Sequence, residues 1–192
     1  LLQGSNAALA VFDTSASGAL TTVPLTGIPA GFDAAAIDVR PATGGLYLLA
    51  VDHGSPSDTG QLLVVDPGTG VATPLGPAFT IPAGTVLGGG YGLDTSPVSD
   101  TIRVVSAQKT NLRLNPDTGA VVATDTDLSA LGIAHIAYDR SVAGAVATTL
   151  FGINSGTGDL VRIGGVDGTP SPNGGVLTPI GTLGGLPDAL GG

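Results

Sequence analysis

The chain has 192 residues, a formal net charge of −9, 32 Gly, 14 Pro, and no Cys, Met or Trp. The acidity argues against nucleic acid or an anionic membrane as a partner. The missing Cys removes disulfides, thiolate zinc sites and a Cys nucleophile, and no stretch approaches the roughly 18 uninterrupted apolar residues of a membrane helix.

Every acidic residue is Asp and Lys109 is the single lysine, so the best helix formers for a solvent face are absent while Val, Thr, Leu and Ile remain for strands. An all-β domain with one sizeable core is expected. Only 11% of residues are charged, which leaves a surface of Ser, Thr, Gly and small apolar groups suited to contact with another protein. The chain shows no signal peptide and opens at Leu1 without Met, a start expected of a processed or partly covered product and taken to favour export.

In chain order, the first strand signal is "LAVFD", ending at Asp13, followed by "IPAG" at Ile28 and "AIDVRP" around Asp38 with its hairpin partner "LYLLAVD". The loop "DHGSPSD" around His53 leads to "LLVVD" ending at Asp66, "GVATPLG" from Gly70, a second "IPAG" from Ile81 and the run Gly88 to Gly90. Next come "YGLDTSP" around Asp94, "IRVVSA", "NLRLN" ending at Asn115, "IAYDRS" around Asp139, "LFGIN", "LVRIG" ending at Gly164, "GVLTPIG" from Gly175 and a faint "LPDAL" around Asp188. "DPGTG", "NPDTG" and "RPATGG" are tight turns: Pro presets φ, Asp or Asn bonds back to the backbone, and Gly accepts positive φ.

The anchors Asp13, Asp66, Asn115 and Gly164 recur at a period of about 50 residues, the mark of four-stranded propeller blades, with stacked sheets of a sandwich as the other arrangement of that spacing. The reading is a single repeat domain, 1–192, of about four antiparallel blades, with units near 1–31, 32–84, 85–132 and 133–192. The first unit lacks its opening strand, and the chain stops where the opening strand of a further unit would lie. A C-terminal strand is therefore expected to complete the first blade, either within one chain or from a second copy, and an unfilled edge would invite strand addition.

The segments "IDVRPATGGLYLLAVD", "TIRVVSAQKTNLRLNPDTGAVVATD" and "VAGAVATTLFGINSGTGDLVR" resemble the bacterial, mostly exported proteins grouped as domain of unknown function 4394. The resemblance covers nearly the whole chain and implies a propeller-like, extracellular protein with no established activity. It carries over no catalytic residues.

Alternation along the anchor strands places Ala10 and Phe12, Leu63 and Val65, Leu112 and Leu114, Val161 and Ile163 on an apolar face, expected to be core. The opposite face holds Asn111 with Arg113 and Leu160 with Arg162, so these cations are expected on a solvent or partner surface, with Asp117, Asp159 or Asp139 as counter-charges. Arg103, Lys109, Asn111, Arg113 and Arg162 form the candidate ligand or partner surface. Asp117, Asp125 and Asp127 are weak candidates for a Ca²⁺ site, because closely spaced carboxylates can share a hard cation, although the EF-hand Gly and Glu are absent.

His53 and His135 have no ligand at metal-site spacing, and Asp52, His53 and Asp58 share a loop. No "GxSxG" elbow is present, the Gly pairs lack a phosphate-loop Lys, and Tyr47, Tyr91 and Tyr138 fall inside strands, packed rather than displayed as sugar platforms. No catalytic, cofactor-binding or strong metal motif emerges. The expected function is a non-enzymatic extracellular scaffold that assembles with itself into a fibre or surface layer by strand completion. The alternatives are a monomeric propeller binding a small ligand or protein partner, and an Asp-based hydrolase.

Overall fold

Runs of β-branched and apolar residues between the turn sequences form strands. In the computed structural model, which describes residues 7–15, 20–54, 56–82 and 90–184, these strands make four antiparallel sheets. The first is a ribbon of β1 (Ala8–Phe12) and β2 (Leu20–Pro24). The second runs β3 (Asp33–Val39), β4 (Leu46–Asp52), β5 (Asp58–Val65), with β6 (Ala72–Pro74) and β7 (Phe79–Ile81) both on the far edge of β5.

The third sheet is β8 (Tyr91–Thr95), β9 (Ile102–Ser106), β10 (Asn111–Leu114) and β11 (Val121–Thr124). The fourth is β12 (Ile133–Tyr138), β13 (Leu150–Asn154), β14 (Asp159–Ile163) and β15 (Leu177–Thr182). Two short 3₁₀ turns, Val166–Gly168 and Pro172–Gly174, join β14 to β15. Each sheet is an up-and-down meander, and the first strands β3, β8 and β12 pack side by side, so the sheets stand as successive propeller-like blades.

The core lies between blades. Leu9 of the ribbon packs with Ala34, Leu48, Leu63 and Val65 of blade 2. The other face of blade 2, with Tyr47, Leu49 and Leu62, meets Leu93, Ile102 and Leu112 of blade 3, and Val105 and Leu128 of blade 3 meet Ile133, Leu150 and Ile163 of blade 4. Each fully buried Leu or Ile here contributes about 1.5–3 kcal/mol of transfer free energy.

The expected core face holds for Leu63, Val65, Leu112, Leu114, Val161 and Ile163, all buried, and all three Tyr are packed. It fails in the ribbon, where Phe12 is 68% exposed and the buried residues are Ala8 and Leu9. It also fails as a contrast between faces, since the adjacent residues Leu62 and Leu63 are both 0% exposed. A blade covered on both sides buries both faces of its middle strands, so alternation no longer separates core from solvent.

Neighbouring blades also touch through backbone. In the turn after β5, Asp66 Oδ1 accepts from the Gly68 N–H at 2.8 Å, and Gly70 sits at φ 74°, where a Cβ would lie 2.1 Å from the Pro24 carbonyl oxygen of the ribbon. The turn after β10 repeats this: Gly119, at φ 69°, would place a Cβ 2.0 Å from the Leu75 carbonyl oxygen. Only Gly fits either position. The expected closing strand around Asp188, together with Leu1 and residues 83–89, lies outside the described residues.

Candidate functional site

Strand register sets up the site. The second and third strands of each blade oppose the same pair of positions: Tyr47 and Val64 in blade 2, Phe151 and Arg162 in blade 4, and Arg103 and Arg113 in blade 3. Like charges directly opposite each other across a ladder repel. Asp125, just beyond β11, answers both: its Oδ2 accepts from Arg103 Nη1 at 3.1 Å and Arg113 Nε at 2.8 Å, and its Oδ1 accepts from Arg113 Nη2 at 2.9 Å. Beside Asp125, Arg113 is held still more firmly protonated than an ordinary Arg.

The rest of Arg103 is spent on blade 4 and its own sheet. Nε donates to Tyr138 Oη at 2.9 Å, Nη2 to Asn173 Oδ1 at 2.6 Å, and Nη1 also to Asn111 Oδ1. Asn111 in turn donates to the Thr126 and Pro172 carbonyls at 3.0 and 3.2 Å. The side chains of Arg103, Asp125 and Arg113 are 2%, 7% and 27% exposed, so two guanidiniums and one carboxylate are held out of most of the solvent with an excess of one positive charge.

A cavity of about 260 Å³ opens onto this cluster between blades 3 and 4. Arg103, Arg113, Tyr138 and Asn173 line it, with Val98, Ser99, Val146, Thr148, Asp167 and Pro172 around them. Burial pushes the Tyr138 phenol up, partly offset by Arg103. Arg140 Nε donates to Asp139 Oδ1 at 3.1 Å, and Arg140 Nη2 donates to Asp167 Oδ1. Here two carboxylates share one guanidinium, and the three side chains are 37–53% exposed.

Of the five residues the sequence grouped as a ligand or partner surface, the structure brings together Arg103, Asn111 and Arg113. Arg103 and Asn111 are buried rather than surface groups, because blade 4 covers this side of blade 3. The counter-charge is Asp125 and none of the expected three: Asp117 pairs with Arg40 at 2.6 Å, Asp139 with Arg140, and Asp159 accepts from Thr157 and Thr182. Lys109 lies in the turn joining β9 to β10, at φ 78°, and Arg162 Nε donates to the Gly164 carbonyl at 3.2 Å, so neither joins the cluster.

Asp117, Asp125 and Asp127 are not brought together as a cation site, and among the described residues no group of three or more His or Asp is placed to hold a metal ion. His53 Nδ1 sits 3.2 Å from Asp58 Oδ2, and Tyr91 donates to the same carboxylate. Asp58 is 2% exposed and fixes the loop through the Gly54 N–H at 3.2 Å. Burial, together with Asp58, raises the Tyr91 phenol well above its ordinary value.

The repeated Asp of the first strands ties blades together. Asp38 Oδ2 accepts from the Thr95 N–H at 2.9 Å, and Asp94 accepts from the Tyr138 N–H. Burial and then the neighbouring Asp38 push Asp94 up to about 7. The recurrence of Asp38 and Asp94 in "AIDVRP" and "YGLDTSP" was the signal for this linkage, whereas nothing in the sequence marks Asn173 as a partner of Arg103.

No helix of the described residues is long and apolar enough to cross a membrane. Among curated proteins none matches the chain. The family model described as Domain of unknown function (DUF4394) matches residues 8–190, nearly the whole length; the chain belongs to that family.

Proposed function

We propose that the protein is a non-enzymatic extracellular scaffold that joins to a second copy of itself by strand addition at β1. One observation carries this: among the described residues β1 pairs with β2 alone, whereas its equivalents β5, β10 and β14 are paired on both sides. Ala8 and Leu9 are buried against blade 2, so the ribbon is docked as a blade, yet Val11, Phe12 and Leu20 are 47%, 68% and 61% exposed. An open strand edge beside exposed apolar side chains favours pairing with another chain. The low charge content and the surface of Ser, Thr and Gly support an extracellular setting.

Light scattering across a concentration series tests this. The expected result is a mass that rises with concentration and falls to one chain in a Val11→Lys, Phe12→Lys variant with an unchanged circular dichroism spectrum. A single-chain mass at every concentration overturns it. So does a chain that becomes multimeric only after residues 185–192 are deleted, which would place its own tail at this edge.

A further inference from the structure

The cavity between blades 3 and 4 has a charge pattern that stacking alone does not require. On its wall the Arg103–Asp125–Arg113 cluster sets two guanidiniums against one carboxylate, with Arg103 and Asp125 nearly inaccessible and Asp94 opposite Arg103 across the β8–β9 ladder. A guanidinium does not lose its proton, so each of its N–H donors calls for an acceptor or for solvent. Asp125 engages two of the five N–H donors of Arg113, through Nε and Nη2, and the same guanidinium lines the cavity. A carboxylate in the cavity would accept from the donors that Asp125 leaves.

Another part of the cavity wall is acidic. Asp167 lines the cavity and shares Arg140 with Asp139, which leaves one more negative than positive charge there. The Ser99 and Thr148 hydroxyls and the apolar Val98, Val146 and Pro172 complete the lining. The volume of about 260 Å³ falls below the range typical of drug-sized ligands, so the occupant is small.

We propose that this cavity binds a small zwitterion of amino-acid size, its carboxylate on Arg113 and its ammonium toward Asp167. The site is separate from the β1 edge, so it stands or falls independently of strand addition.

Isothermal titration calorimetry on the full chain, with acetate, methylammonium chloride and the individual standard amino acids, tests the proposal. At least one amino acid is expected to bind about tenfold or more tightly than acetate or methylammonium. Asp167→Asn, a change at an exposed group outside the buried cluster, is expected to reduce amino-acid affinity to the level of acetate without changing acetate binding. Arg113→Gln is expected to abolish both, with circular dichroism confirming that it folds. No amino-acid binding at millimolar concentration, equal affinity for acetate and every amino acid, or affinities unchanged in Asp167→Asn would each overturn it.

Discussion

The two interfaces that flank blade 3 use the same backbone positions for opposite chemistry. Toward blade 2 the opposed pair is Tyr47 and Val64, packed in an apolar cluster; Tyr47 Oη donates to the Pro116 carbonyl at 3.0 Å and accepts from Arg40 Nη1 at 3.4 Å, and Arg40 pairs with Asp100 and Asp117 of blade 3. Toward blade 4 the equivalent pair is Arg103 and Arg113, with Asp125, Asn111, Tyr138 and Asn173 bonded around them. At this pair of strand positions apolar packing therefore suffices for stacking, and the Arg103–Asp125–Arg113 network is an addition to it. Buried ion pairs contribute little net stability compared with well-packed apolar groups, although breaking one is costly.

Removing only the shared carboxylate breaks the comparison most sharply. Asp125→Ala leaves two opposed guanidiniums without an answer and is expected to cost about 3–5 kcal/mol in urea unfolding. Converting the network to the blade 2 pattern with Arg103→Tyr, Arg113→Val and Asp125→Ala together is expected to stay within about 2 kcal/mol of the parent protein. An equal loss in both variants would show that the network is structural.

On the apolar side, Leu112→Ala removes a side chain 1% exposed and is expected to cost about 2–4 kcal/mol with no change in amino-acid binding.

The Asp38 and Asp94 linkage gives a pH signature. Asp94 rises from 3.8 to about 7 on folding, so the folded chain holds a proton that the unfolded chain releases across that window. Stability therefore falls as pH rises from about 4 to 7, by something on the order of 2 kcal/mol, and Asp94→Asn is expected to flatten the slope in thermal scans.

The smallest effect is expected at Asp100, whose side chain is 41% exposed and which the buried Arg40 of blade 2 reaches at 2.5 Å, holding its carboxyl below the usual range. Asp100→Asn is expected to cost under about 1 kcal/mol at neutral pH. Because the folded value is lowered, that difference should vanish as pH falls below the ordinary Asp range.

The repeat period and turn residues made the blades legible in the sequence, since each hairpin is specified locally. The burial of Arg103 was not legible, because a strand's alternation reports two faces and not what is stacked on each. The same limit explains Phe12: its strand matches the pattern of β5, β10 and β14, but its exposure is set by how little of the ribbon is covered. Asp125 stood out as one of several closely spaced carboxylates, and only the register of β9, β10 and β11 showed which cations it serves.

Gly70 and Gly119 bring peptide groups of adjacent blades into direct contact, with Gly175 meeting the Asp127 carbonyl in the same way. The pitch of the stack is thereby gauged by main chain, whose dimensions no substitution alters. Side chains in the gap are released from acting as spacers, and the same strand positions hold Tyr47 and Val64 in one gap and Arg103 and Arg113 in the next.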